Sequence, residues 1–407
     1  VTLAFPPSRA AALARLAAID WRAYGRTRNQ LDGAVTRLSP YLTHGVLSVP
    51  EVIAALHAQG ARNEDKLVME LAWREYWHHV WRRLGDAIFV SQRPEPAPQY
   101  AQALPDDIRQ GRSGVPAVDA AVRALYVEGY VHNHARLWLA SYVVHLRKVH
   151  WSVGAAWMAQ HLLDGDLASN TLSWQWVAGT FSSKPYVFNN DNVARHAPGL
   201  ARAGTAIDRD YVALDALARA DEAVGPEPDA PARGLDEPAL HTSPPGMPAS
   251  GIDALPLLAG RSVALVHPWM LGERPQAEVI LGVIHLPFHA RFAWSAARWN
   301  FVLELMRPMV DALWIGDLRE LAAPLRTARS VVSQATLNPE YTTALPLVSS
   351  IAPAPRQFRD PAVLARSFSQ FWTKVNRPRY LRVAVRAPAA RVAGRPTTTA
   401  TSGHPAG

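Results

Sequence analysis

The stretch from Gly129 to Trp176 holds the side chains whose types and spacing could do chemistry. At one end it reads Gly-Tyr-Val-His-Asn-His-Ala-Arg-Leu, at the other Leu-Asp-Gly-Asp-Leu-Ala-Ser-Asn-Thr-Leu-Ser-Trp-Gln-Trp. Asn133, Arg136 and Leu137 stand three and four apart, so a helix places them on one face. Asp164 and Asp166 bracket Gly165, Asn170 follows four residues after Asp166, and Trp174 and Trp176 come next. Two carboxylates, an amide, an arginine and two indoles suit a pocket for a polar heteroaromatic ligand, with charge to neutralise and rings to stack or to conduct electrons. A buried Arg–Asp pair in a helical core, with tryptophan as filler, explains the same residue types equally well.

The elements that must position these groups are mostly helices. Lys66 to Leu84 has no Gly or Pro inside and puts Glu70, Trp73, Arg74 and Trp77 on one face. Glu70 and Arg74 alone would pass for a solvated ion pair, but two indoles on the same face argue for burial. Residues 9–19 have helical spacing, and Pro94 to Pro98 breaks the chain. A helix begins after Gly114, with Asp119 early, where the helix dipole favours it. Further helices are expected over 134–149 and 152–163. Val35-Thr-Arg-Leu-Ser-Pro-Tyr-Leu places Ser39 as the cap of a helix starting at Pro40. Thr36, Arg37 and Ser39 at that start would seat a phosphate; an ordinary N-cap is the simpler account. Residues 1–200 therefore read as all-α.

From 201 to 260 eight prolines punctuate Ala, Gly, Asp and Glu, the composition of a linker, with a short helix near 211–220. Ser262-Val-Ala-Leu-Val-His, Glu278-Val-Ile-Leu-Gly-Val-Ile, Ala312-Leu-Trp-Ile-Gly-Asp and 330–334 read as buried strands, with a helix from Ala296. Strand–helix–strand alternation predicts a parallel sheet over 261–385. No Gly-x-Gly-x-x-Gly follows a strand, so a nicotinamide site is not expected. Residues 386–407 read as a disordered tail. The chain has 407 residues, no Cys and a formal charge of +8. Thiolate-bound metal and disulfides are excluded, no metal site is assigned, and a polyanionic partner such as DNA is favoured. No run reaches transmembrane length, and a cytoplasmic monomer is the expectation.

Several motifs together resemble the DNA photolyase/cryptochrome family over about residues 20–190. They are Thr-Arg-Leu-Ser-Pro-Tyr-Leu (36–42), Glu-Leu-Ala-Trp-Arg-Glu-Tyr (70–76), Gly-Val-Pro-Ala-Val-Asp-Ala-Ala (114–121), His-Asn-His-Ala-Arg (132–136), and Asp-Gly-Asp-Leu-Ala-Ser-Asn with Trp-Gln-Trp (164–176). The resemblance implies a bent FAD in a helical domain. Tyr24, Thr36, Arg37, Leu38 and Ser39 would hold the diphosphate. Arg74, Arg136, Asp164, Asp166 and Asn170 would surround flavin and ribose, with Asn170 near flavin N5, and Asn133 would border the cofactor. Trp174 and Trp151 match an electron-transfer chain whose distal tryptophan is absent; Tyr100 is the candidate substitute. Glu70, Trp73, Asn133 and Trp176 match the cleft into which repair enzymes take a flipped pyrimidine dimer. Enzymes for the (6-4) photoproduct carry His at Asn133 and at Leu137. His134 replaces an Arg that touches DNA phosphate in the family.

The same resemblance implies that the family's antenna domain, normally ahead of the FAD domain, follows it here. Ser262-Val-Ala-Leu-Val-His-Pro-Trp is similar to its opening strand, Ala297 to Met306 with Leu313-Trp-Ile-Gly-Asp to its first helix and next strand, and Ser367 to Lys374 to its end. The identity or presence of an antenna chromophore is not readable. The function so implied is splitting of cyclobutane pyrimidine dimers in DNA by an electron from photoexcited reduced FAD, the reaction of a deoxyribodipyrimidine photolyase, a carbon–carbon lyase. The alternative is a cryptochrome-like blue-light sensor that binds FAD without repair. The intact cleft set favours the first. The absent distal tryptophan, His134 and the lack, expected over 190–260, of the helices that normally close the family's FAD domain favour the second.

Overall fold

The computed structural model describes residues 4–376; the expected tail at 386–407 lies outside them. Up to residue 239 the described chain is helical, with one isolated bridge between Ala101 and Val149. The longest helix, Lys66–Leu84, has the expected bounds. It buries Leu67, Val68, Leu71, Ala72, Tyr76 and Val80 on one side, and ends at Gly85, which has φ 56°. Pro116–Glu128 follows, opened by its proline and closed at Gly129. Asn133–Ser141, Trp151–His161 and Leu167–Ala178 then pack against one another.

The helix expected over 134–149 stops at Ser141 and widens into a π-helical turn, Tyr142–Leu146. The anchors beyond it account for the change. Arg147 forms a buried pair with Asp107 at 2.5 and 2.9 Å. Lys148, at φ 50°, donates to the carbonyls of Leu217 and Ala218. These tertiary bonds fix the chain's exit, and the turn widens to meet them.

The Pro-rich stretch is bound along the molecule. It holds the expected short helix, Tyr211–Arg219. Val224, Glu227 and Leu235 donate backbone N–H groups to Leu146, Ser113 and Gln110. Leu240–His241 pairs antiparallel with Trp294–Ser295, which was not foreseen.

The C-terminal half contains a parallel five-stranded sheet. From edge to edge the strands are Ala312–Gly316, Val279–His285, Ser262–Val266, Ser330–Gln334 and Ser350–Ala352. The last was not read from the sequence; its three residues are exposed and lack an apolar pattern. Val279–His285 is buried along its whole length, as an inner strand covered on both faces must be. The chain leaves the central Ser262 strand toward one edge and returns on its other side. A crevice therefore opens at the carboxyl ends of Ser262–Val266 and Ser330–Gln334. Fold class is thus as expected, a helical part and an α/β part.

Two hydrophobic clusters form the interior. One runs through residues 108–214. The other joins the helices between Phe5 and Ile88 to the sheet and helices between Leu258 and Val375. No helix of the described residues is long and apolar enough to cross a membrane.

The Lys66–Leu84 helix also grips the C-terminal segment. Glu75 accepts the N–H groups of Gln357 (2.6 Å) and Phe358 (3.0 Å). His79 Nε2 accepts from Ala365 N, so Nδ1 carries the proton it shares with Asp360 at 2.7 Å. Burial pushes the Glu75 carboxyl up to about 7, against the two N–H groups and Arg82. A raised carboxyl stabilises the fold fully below its ordinary value of 4.5, and that contribution fades as pH rises through about 7. The margin of the native chain over Glu75→Gln should shrink by about 3 kcal/mol between pH 5 and 8. Urea denaturation of both proteins at the two pH values measures it, and a constant margin would contradict the assignment.

Candidate cofactor site

The turn at 162–166 is where the N-terminal ion pairs converge. Leu163 N donates to Gly129 O, which brings the turn against the start of the Asn133–Ser141 helix. Arg136 Nη2 reaches both oxygens of Asp164, at 3.0 and 2.8 Å, and Nε is held by Val131 O at 2.7 Å. Asp164 is only 2% exposed. Asp166 caps the next helix through Ser169 N and accepts from Arg74 Nη2 (3.3 Å) and His78 Nε2 (2.8 Å). Burial alone would raise the Asp166 carboxyl; Arg74 and His78 outweigh it and hold the group well below the usual carboxylate range. Asn170, one turn on, is buried and donates to Ala155 O at 2.8 Å.

Beneath the turn lies a residue the sequence did not reveal. Arg298, from the Ala296–Met306 helix, is 2% exposed. It donates to Ala159 O (3.0 Å) and Gly165 O (3.1 Å), and its guanidinium lies 4.0 Å over the Trp294 ring. A Cβ at Gly165 would stand 2.3 Å from Ala159 O and 2.5 Å from Arg298 Nη1, so only glycine fits there. Burial pulls the Arg298 guanidinium down to about 9, with Asp164 and Asp166 opposing.

The outer members gather around Tyr130. Arg37 and Arg136 lie over that ring, at 4.7 and 5.5 Å, and Arg37 is ion-paired with Glu128. Arg37 has φ 50°, an uncommon backbone for a side chain other than glycine. Thr36 Oγ1 accepts from Leu38 N, and Leu38 is buried. Ser39 does not cap. It is the first residue of Ser39–Thr43, whose N-cap Leu38 makes no side-chain bond. With Thr36 already turned onto Leu38 N, the chain enters the helix without a serine cap. Tyr24 is half-buried; burial, then Glu70, raise its phenol, with Arg28 opposing. Glu70 stands 3.7 Å from Arg28 Nε and is 42% exposed. Crowding raises its carboxyl, with Arg28 and Lys66 opposing, and its open side limits the effect.

Asn133 is exposed at the start of its helix. His134 turns inward, edge-on to Trp138 and 3.3 Å from Asn192 Oδ1, and burial lowers its imidazole. Trp176 is half-buried against Tyr186. One face of Trp73 is covered: Phe368, from Phe368–Val375, stacks on it at 4.2 Å and 9°. The structure therefore collects Arg74, Arg136, Asp164, Asp166 and Asn170 around one turn, with Tyr24, Arg37 and Glu70 next to them. His78 was missed although it follows Arg74 by one helical turn, a readable signal. Arg28 and Phe368 carried none.

Trp174 and Trp151 are both buried. Trp151 Nε1 donates to Ser91 Oγ at 2.8 Å. Tyr100 does not pair with Trp151 directly: His150 lies between, 6.1 Å from Tyr100 and 5.5 Å from Trp151. Trp174 leans on Gly154, where a Cβ would come within 2.3 Å of two ring carbons. Gly154→Ala should therefore cost about 1–3 kcal/mol by overpacking and shift the tryptophan emission. Urea denaturation and fluorescence check both.

A cavity of about 240 Å³ lies between the Trp151–His161 and Leu167–Ala178 helices and the sheet crevice. Trp151, Asn170, Trp269, Phe292, Trp294 and Arg298 are among its walls.

Residues 67–220 match the family model of the FAD binding domain of DNA photolyase. The helical part of this chain is similar to the photolyase/cryptochrome family. All the quoted motifs but Thr36–Leu42 fall inside the match, which runs on through the Tyr211–Arg219 helix. A deoxyribodipyrimidine photo-lyase from Streptomyces griseus is 39% identical over 150 residues, 36% of this chain and 32% of the relative. One from Thermus thermophilus is 36% identical over 198 residues, 45% of this chain and 46% of the relative. A cryptochrome DASH from Idiomarina loihiensis is 34% identical over 167 residues, 38% of this chain and 37% of the relative. A Synechocystis cryptochrome structure matches 48% of this chain and 44% of its own, at 27% identity and a TM-score of 0.43. The chain thus spans a third to a half of the length of the curated relatives named.

FAD is the cofactor of the photolyase-type domain, and the residues here fit it. Arg37, over the Tyr130 ring, would face a diphosphate, and Arg74 and Arg136 would face the flavin and its ribose. Two buried polar atoms, Ser169 Oγ and His132 Nε2, have no protein partner. His132 Nδ1 accepts from His134 N, so Nε2 bears the hydrogen; the Gln30 carbonyl is near without completing a hydrogen bond. Burial, then His134, Arg136 and Arg37, lower this imidazole to about 4, so it is a neutral donor at pH 7.

Proposed function

We infer that the chain is a light-dependent DNA repair flavoprotein that splits cyclobutane pyrimidine dimers. The observation that carries this reading is the placement of Glu70: exposed, yet next to the Arg28, Tyr24 and Tyr130 side of the ion-pair cluster. Bound FAD would supply light absorption and the electron. The chain's own part is electrostatic and steric. Arg136 and Arg74 would hold compensating charge beside the ring system and its ribose; Asp164 and Asp166 fix both guanidiniums; Asn170 would lie toward flavin N5. Tyr24, Thr36, Arg37, Leu38 and Ser39 would border the diphosphate. Glu70 and Asn133 would face an extruded dimer with polar atoms, and Trp176 and the uncovered face of Trp73 would flank it with indoles. A carboxyl with a raised pKa can donate a hydrogen bond to a base carbonyl as negative charge develops there.

Illumination of reduced, FAD-loaded protein with dimer-containing single-stranded DNA tests the reading. Dimer loss is expected. Glu70→Ala should lower the yield by about tenfold to a hundredfold, the scale of one lost charge-stabilising donor, while flavin content stays constant. FAD-loaded protein that leaves dimers intact under light would remove the repair reading.

The second reading is a blue-light sensor without repair activity, favoured by the Phe368 ring stacked on Trp73, where a base would otherwise lie. An illumination-dependent change of the flavin spectrum with intact dimers would select it. We also retain the division into a helical domain (1–200), a linker (201–260) and an antenna-like α/β domain in permuted order (261–385).

A further inference from the structure

We propose that Glu95, reached through the Ser91 hydroxyl and held by His150, takes the indole proton of Trp151 when that ring is oxidised. The proposal rests on the reading of Trp174 and Trp151 as an electron-transfer pair and deepens it.

Trp151 is 1% exposed, so its ring cannot hand a proton to bulk water. Its N–H has one partner, Ser91 Oγ at 2.8 Å. The Ser91 hydroxyl in turn donates to Glu95 Oε1. His150 Nδ1 accepts from Ser152 N, so Nε2 bears the hydrogen and points at Glu95 Oε1, 3.3 Å away. Glu95 Oε2 is buried and has no partner at all. Burial would raise this carboxyl, but His150 and Ser91 hold it below its ordinary value, so it waits as a carboxylate. Nothing in the helical packing demands the arrangement: Ser91 and Glu95 lie outside the regular helices, in the segment leading into the prolines.

The step balances. Trp151 gives one electron, by way of Trp174, to photoexcited oxidised flavin. Its N–H bond breaks, the proton passes to Ser91 Oγ, and the Ser91 proton passes to Glu95 Oε1. A neutral indolyl radical, an intact serine hydroxyl and a carboxylic acid remain. An external thiol refills Trp151, and the protons return. Deprotonation removes the positive charge that draws the electron back, so the charge-separated state outlives the one containing a radical cation. This chain needs such a trap at Trp151, because the next aromatic outward is Tyr100, beyond the His150 ring.

Flash photolysis of the full FAD-loaded chain, read by transient absorption and EPR, distinguishes cationic from neutral tryptophan radical. The native protein should show the neutral form, with a solvent deuterium effect on its appearance. Glu95→Gln and Ser91→Ala should each leave the cation and shorten its lifetime about tenfold or more, the effect of about one unit of acid–base driving force. Ser91→Ala keeps the carboxylate and its His150 contact, which guards against misfolding of the first variant. Equal radical forms and lifetimes in all three proteins would overturn the proposal and leave the electron-transfer reading standing. The same variants are compared without flavin, using a ruthenium polypyridyl photo-oxidant and Trp151→Phe to isolate the signal of Trp151. Variant-sensitive deprotonation there, in a chain that binds no FAD, would uphold the proton acceptor and sink the flavin reading instead.

Discussion

Asp164→Ala should abolish FAD retention and cost about 3–5 kcal/mol of stability, the range for removing one partner of a buried ion pair. Asp164 is nearly inaccessible, and Arg136 Nη2 bonds both of its oxygens. Without it the guanidinium keeps only Val131 O and the Tyr130 face. A companion variant separates the two effects. In Asp164→Ala with Arg136→Met neither charge remains, and exchanging a buried pair for apolar groups is often neutral. Stability should return toward the native value, while FAD does not. Urea denaturation and the flavin absorbance of purified protein measure the two outcomes. If the double variant regained FAD, the pair would be structural filler and not part of the site.

Arg298→Met should cost about 2–4 kcal/mol. Two effects oppose each other. Removing a guanidinium that burial holds at about 9 relieves an unfavourable desolvation. Against this, the carbonyls of Ala159 and Gly165 lose their donors in a dry interior, at about 1–3 kcal/mol each, and Asp164 and Asp166 lose a nearby cation. Two orphaned acceptors outweigh one relieved charge, so the net sign is destabilising. The turn that carries both aspartates also loses its support from below, and FAD affinity should fall although Arg298 makes no hydrogen bond to the side chains of Arg74, His78, Arg136, Asp164 or Asp166. Titration with FAD and urea denaturation of Arg298→Met and Arg298→Lys check this; native affinity in both would show that the turn holds itself.

The long elements were legible because local pattern decided them. Lys66–Leu84 has a continuous helical face and no breaker, and the Ser262 and Val279 strands are aliphatic runs of strand length. The π turn at Tyr142–Leu146 was not legible, since its cause is a pair of distant anchors, Asp107 and the Leu217 carbonyl. The ion pairs were half-readable. Arg136 and Asp164 announced each other by type within one motif. Arg298 stands 133 residues from the glycine carbonyl it holds, and nothing near it marks it as other than a surface arginine on a helix. Trp73 was placed on the right helix face; its covering by Phe368 depends on how the C-terminal helix docks. Ser39 misled because Ser-Pro is a good capping pair, and the local turn at Thr36 overrode it.

The cluster that unites Phe5–Ile88 with Leu258–Val375 has a consequence for how the protein is made. When a ribosome has finished the first 250 residues, the early helices still expose the apolar faces that the late strands will cover. They must wait, sheltered or at risk of sticking to one another, until residues 258–375 have been made. The helices around Trp138 and Trp151 have their partners by about residue 214 and can settle sooner. Birth order in this polypeptide therefore differs from the order in which its parts become solid: residues 108–214 set first, and the segments on either side set together.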